Sequence, residues 1–138
     1  MSCILIVDDS SSTRIAMKVF LQREGHSVVL AEDGRRGLEA IEESCPDAVL
    51  MDVIMPDMDG YTMLHRIRTH PDQKIRMIPV IAMTGRDKLE DLLQGLGVQG
   101  FVRKHSGCFQ EIATILVDVI EATDSQEERH TKTGARRG

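Results

Sequence analysis

AVLMDVIMPDMDG, residues 48–60, sets an unbroken apolar run, Ala48 to Met51, against an aspartate and follows it with a proline and a glycine. Apolar residues without alternation read as a strand buried on both faces, the habit of a parallel sheet covered by helices on each side. Asp52 closes that strand, so a carboxylate stands at its carboxyl end. Beyond Gly60, the spacing of Tyr61, Leu64 and Ile67 predicts a helix.

The same alternation of strand and helix extends in both directions. Upstream, Cys3–Val7 and Val28–Ala31 are further short apolar runs; downstream come Ile78–Met83 and Phe101–Val102. Between them Ile15, Val19 and Phe20 mark a first helix, opened by the Ser10–Ser12 cluster and stopped by Gly25. Leu38 and Ile41 mark a second after Asp33-Gly34, and Leu89, Leu92 and Leu93 a fourth after the helix at Gly60. The last is the clearest, with Ile112, Ile115, Leu116, Val119 and Ile120 on one face. Five strand–helix alternations predict an α/β domain with right-handed crossovers. So few strands leave the parallel sheet open and doubly wound, with its ligand site at the carboxyl ends of the strands.

Composition bounds the function. The 138 residues suit one domain, and 41% apolar residues with 3% aromatic and no Trp leave Ile, Leu, Val and Met to fill the core. A net charge of −5 argues against a broad nucleic-acid surface, and no apolar run approaches a membrane span. Cys3 to Val7 is too short for a signal-peptide core, so a cytoplasmic protein is expected. Cys3, Cys45 and Cys108 form no C-x-x-C pair and read as small buried thiols. The five histidines lack metal-ligand spacing, and most read as surface residues. From about Ala122 the apolar periodicity stops. Residues 122–138, with four basic and three acidic groups, read as a polar tail, disordered or at most a frayed extension of the last helix. The domain is thus expected to occupy residues 1–121.

Acidic residues close two of the predicted strands: Asp8 and Asp9 the first, Asp52 the third. Parallel strands bring both ends to one rim. Three anions at one rim repel unless a cation joins them, and a hard dication such as Mg²⁺ suits a few carboxylates supplemented by water. The fourth strand ends at Thr84-Gly85 and the fifth at Arg103-Lys104, adding a hydroxyl, an amide and an ammonium. Together they suit an aspartyl-phosphate: a carboxylate nucleophile, a metal and a lysine to neutralise phosphoryl oxygens, and hydroxyl and amide donors.

In ILIVDDS (4–10), VLMDVIMPDMDG (49–60), IPVIAMTG (78–85) and GFVRK (100–104), the chain resembles the receiver domains of bacterial response regulators over residues 3–121. The resemblance implies a flavodoxin-like (βα)5 fold with strand order 2-1-3-4-5. It implies that Asp52 accepts a phosphoryl group from the phosphohistidine of a sensor kinase or phosphotransfer protein. Mg²⁺ would be bound by Asp9, Asp52 and the Ile54 carbonyl, and by Asp8 chiefly through water. Thr84 and Gly85 would donate to the phosphoryl group, Lys104 would pair with it, and Phe101 would be the switch aromatic. The surface of the fourth helix, fifth strand and fifth helix would carry the signal to a protein target, as in single-domain regulators of chemotaxis. Such a protein is a self-modifying switch, not a turnover enzyme, and acts without direct contact to nucleic acid or membrane. Two departures stand out: His105 follows Lys104 where the family usually has proline, and the stretch from Thr84 to Lys104 is slightly short.

Two other motifs compete. Gly95-x-Gly97-x-x-Gly100 matches a dinucleotide fingerprint but leads into a strand instead of a helix. Asp57-Met58-Asp59-Gly60-Tyr61-Thr62 is similar to the nucleophile motif of haloacid-dehalogenase-type phosphatases, but Pro56 separates it from the strand that Asp52 closes.

Overall fold

The computed structural model describes residues 2–53, 55, 58–84, 97–103 and 108–137, with backbone alone for 84 and 123–137. Five parallel strands form one sheet: β1 Cys3–Val7, β2 Ser27–Ala31, β3 Ala48–Asp52, β4 Val80–Thr84 and β5 Gly100–Arg103. Their order is β2-β1-β3-β4-β5, as the resemblance implies. The helices are α1 Ser11–Arg23, α2 Gly34–Ser44, α3 Gly60–Arg68, the single turn α4 Gln73–Arg76, and α5 Cys108–Arg137. The helix expected at Leu89–Leu93 lies outside the described residues.

Side chains alternate along each strand and build two cores. Leu5, Val7, Val49, Met51, Val80 and Ala82 pack with Ile41 of α2 and Met63, Leu64 and Ile67 of α3. Ile4, Ile6, Leu50, Ile81 and Met83 face the other way, onto Met17 and Leu21 of α1 and Ile112 and Leu116 of α5. All five β3 residues are buried, so the central strand is wrapped on both faces. Burying each such Ile, Leu or Met contributes about 1.5–3 kcal/mol. Phe20 and Phe109 join α1 to α5, with ring centroids 5.6 Å apart.

Short polar side chains start the helices. Ser10 caps α1, Asp33 α2, Asp59 α3 and Asp72 α4, each accepting from a backbone N–H of the first turn. Gly25, at φ 95, ends the turn after α1 in a conformation that costs glycine little.

Ile15 and Val19, which mark α1 in the sequence, are 58% and 42% exposed, and Met17 and Leu21 hold its buried stripe. The expectation of three buried thiols changes: Cys45 is exposed at the left-handed C-cap of α2, Cys3 is half-buried, and only Cys108 is buried. Beyond Ala122 the last helix continues as far as Arg137. No proline interrupts it, and its Glu, Gln, Lys and Arg residues are good helix formers. Among the described residues no helix is long and apolar enough to cross a membrane.

Candidate functional site

Strand register assembles the site. Val7 pairs with Met51, which sets Asp8 level with Asp52 on the neighbouring strand. Asp52 pairs with Met83, so Thr84, the last residue of β4, follows at the same rim. Asp8, Asp9 and Asp52 each offer a carboxylate oxygen, all within 4.8 Å of one another. Asp8 is fully buried and Asp52 is 6% exposed, whereas Asp9 faces solvent.

The β1–α1 turn is held tightly. The Asp8 N–H donates to the Ala31 carbonyl at 3.2 Å, and Asp8 Oδ1 accepts from the Ser10 N–H at 2.9 Å. Arg14, on the first turns of α1, reaches back to donate Nη1 to the Asp8 carbonyl. The backbone around Asp52 is held as well. Val53 N–H donates to the Met83 carbonyl at 3.0 Å, and Gly60 N–H to the Val53 carbonyl at 2.7 Å. A Cβ on Gly60 would lie 2.8 Å from Val53 Cα and 3.1 Å from the Asp52 carbonyl, so only glycine lets α3 start this close to the acceptor strand.

This donor set fits a small hard cation. Oxygen ligands of octahedral Mg²⁺ at 2.0–2.1 Å sit about 3–4 Å apart. Carboxylate oxygens grouped within 4.8 Å need only small adjustments to meet that spacing. One ligand from each residue leaves room for water and for the Ile54 carbonyl that the resemblance implies; Ile54 lies outside the described residues. Gly85, Lys104 and His105 lie outside them too, and Thr84 is described by its backbone alone. Phe101, in the middle of β5, is half-buried against the α2–α3 core. Asp59 of the phosphatase-like motif is spent as the cap of α3, bonding Thr62 N–H at 2.7 Å, and Asp57 lies outside the described residues.

The response regulator receiver domain family model matches residues 4–116. The chain belongs to the receiver family. Among relatives of this receiver, Response regulator MprA of Mycolicibacterium vanbaalenii is 38% identical over 93 residues, 67% of this chain and 38% of that protein. Transcriptional regulatory protein AfsQ1 of Streptomyces coelicolor is 35% identical over 106 residues, 75% of this chain and 45% of its own length. The receiver therefore spans less than half of these curated relatives. Among solved structures, the chemotaxis response regulator CheY4 of Vibrio cholerae has a TM-score of 0.77 at 27% identity, covering 86% of this chain and 98% of that one. A receiver domain protein from Clostridium thermocellum has a TM-score of 0.82 at 25% identity, covering 91% and 99%.

Sequence reasoning missed two arginines. Arg14 carries no motif, and its partner is a backbone carbonyl, which no residue pattern reveals. Arg68, at the end of α3, donates from Nη1 to the Arg76 and Ile78 carbonyls at 2.9 and 2.8 Å. Its Nη2 donates to the Gly97 carbonyl and to Gln99 Oε1, both at 2.8 Å. Burial pushes this guanidinium below its ordinary value. It pins the starts of β4 and β5, at the end of the sheet away from the aspartates.

Proposed function

We propose that this receiver takes a phosphoryl group from a phosphohistidine onto Asp52 and relays the change to a protein partner. The observation that carries the reading is the meeting of Asp52 with Asp8 and Asp9 at the carboxyl ends of adjacent strands. A carboxylate oxygen of Asp52 attacks phosphorus and the P–N bond of the donor breaks. The bonding electron pair returns to the imidazole, which is protonated on its other nitrogen and leaves neutral. Asp52, Asp9, Asp8 and the Ile54 carbonyl would hold Mg²⁺, Asp8 mainly through water. The ion supplies positive charge against the phosphoryl oxygens. Lys104 pairs with those oxygens, and Thr84 and the Gly85 amide donate to them. The new acyl phosphate stays on the protein, which makes the chain a self-modifying switch instead of a turnover enzyme.

Movement of Thr84 toward the phosphoryl group frees space for the Phe101 ring to turn inward. That changes the surface formed by β5, α5 and the segment between β4 and β5. Phe101 is half-buried, as a side chain exchanging between two packings requires. The donor, a sensor kinase or phosphotransfer protein, has an apolar foothold in Ile15 and Val19, exposed on the helix that starts beside the acidic pair. We place this chemistry in the cytoplasm, with output by protein contact; the net charge of −5 disfavours direct nucleic-acid binding.

Intact mass after incubation with phosphoramidate tests the reading. One added phosphoryl group is expected in wild type with Mg²⁺, and none without Mg²⁺ or in Asp52→Asn. A folded wild-type protein that stays unlabelled, or a labelled Asp52→Asn, would overturn it.

A further inference from the structure

Asp9 sits between two peptide groups that are both held. On its carboxyl side the Ser10 N–H donates to Asp8 Oδ1 at 2.9 Å, and Ser10 itself caps α1. On its amino side the Asp8 carbonyl accepts from Nη1 of Arg14, six residues further along the chain. The planar peptide groups on either side of a Cα set its φ and ψ, and with them the direction in which its side chain leaves. Asp8 is fully buried, and its own N–H is tied to the Ala31 carbonyl at 3.2 Å. Asp9 faces solvent beyond the end of β1, so the aim of its carboxylate depends on the two flanking peptide groups.

Helix geometry explains the reach of Arg14. Side chains on an α-helix lean toward its N-terminus, so a long residue in the second turn lies back over the first. Arg14 is half-buried, and its N–H donates to the Ser10 carbonyl at 3.0 Å, which ties it to the same turn by its backbone. A cation at this place is unfavourable on two counts. It meets the positive end of the helix dipole, and it repels a metal ion gathered by the neighbouring carboxylates. The hydrogen bond to the Asp8 carbonyl supplies the reason for it, since a charged donor holds a carbonyl more firmly than a neutral one.

We propose that Arg14 is a positioning residue for the Mg²⁺ site: it fixes the Asp8–Asp9 peptide group and so keeps the Asp9 carboxylate aimed at those of Asp8 and Asp52. The inference rests on the reading above. It makes a prediction opposite in sign to that of simple charge. Removal of a nearby cation should by itself tighten Mg²⁺ binding, whereas loss of the support for Asp9 weakens it.

Mg²⁺ titration calorimetry on the full chain tests the inference, in about 0.5 M salt to reduce the repulsion between cations. Arg14→Met is expected to weaken Mg²⁺ binding about tenfold, the scale of losing support behind a metal ligand. Arg14→Gln, which is too short for the same reach, should weaken it similarly and gives a second measurement should Arg14→Met fold poorly. Arg14→Lys, which keeps a charged donor on a long stem, should return most of the loss. Lys18→Met, one turn further along α1, removes a cation without touching the turn and should leave the affinity unchanged or slightly tighter. In Mg²⁺-free buffer, backbone amide relaxation by NMR should show Asp9 and Ser10 more mobile in Arg14→Met and quiet again in Arg14→Lys. Wild-type or tighter affinity in Arg14→Met and Arg14→Gln, or equal weakening in Lys18→Met, overturns the positioning role while leaving the Mg²⁺ site standing. Weakened binding with unchanged Asp9 and Ser10 amides overturns it as well. A wild-type protein that binds no Mg²⁺ overturns the site itself and this inference with it.

Discussion

At the amino end of the sheet Arg68 carries one cation into the fold, where the chain's own oxygens surround it. The carbonyls of Arg76, Ile78 and Gly97 and the Gln99 side chain all accept from it. At the carboxyl end three carboxylates converge instead, within 4.8 Å of one another, two of them buried. The first arrangement is complete in itself: neutral acceptors meet a charged donor, and nothing more is called for. The second gathers like charges, an arrangement that suits the cation and phosphoryl group of the proposed function.

That contrast makes separable predictions. Arg68→Ala strands carbonyls that now share a charged donor, and should cost about 3 kcal/mol of stability. Its Mg²⁺ affinity should stay within about twofold of wild type, because among the described residues the hydrogen-bond partners of Arg68 all lie at the opposite end of the sheet from the aspartates. Urea unfolding and Mg²⁺ titration on the same samples check both halves. A large loss of Mg²⁺ affinity would show that the two ends are coupled.

Asp8→Asn should give the reverse pattern. Mg²⁺ affinity is expected to fall about 10–100-fold, as when a metal's outer support is removed. Stability without Mg²⁺ should hold or rise, since one of three converging charges is gone. A strongly destabilised Asp8→Asn protein would mean that the carboxylate cluster serves the fold and not the ion.

Most of this division was legible in the residues, for a physical reason. Parallel strands must have both faces apolar and their ends polar, so runs such as Ile4–Val7 and Ala48–Met51 announce both the sheet and the rim. Asp8, Asp9 and Asp52 then follow from register alone. The face of α1 did not. Ile15 and Val19 form one apolar i,i+4 pair, and Met17 and Leu21 another about 200° around the helix. Periodicity says that α1 has two apolar stripes; only packing against Ile4, Ile6 and α5 decides which is buried. Arg68 was invisible because its acceptors are mainly backbone carbonyls brought together by tertiary structure.

The exposed face of α1 supplies the smallest effect. Ile15 is 58% exposed, so Ile15→Ala should change stability by no more than about 0.5 kcal/mol. Labelling by phosphoramidate should be unaffected, whereas transfer from a phosphohistidine protein should slow, if the exposed pair receives the donor. Equal slowing with both donors would trace the effect to the site itself.

The proposed function makes the rim a phosphoacceptor site with Asp52 as its nucleophile. Borohydride reduces an acyl phosphate to an alcohol, so an aspartyl-phosphate becomes homoserine at the acceptor position. After phosphoramidate and Mg²⁺, reduction and peptide sequencing by mass spectrometry should find homoserine at residue 52 and nowhere else. Homoserine at residue 57 would identify the phosphatase-like motif as the reacting one and contradict the account.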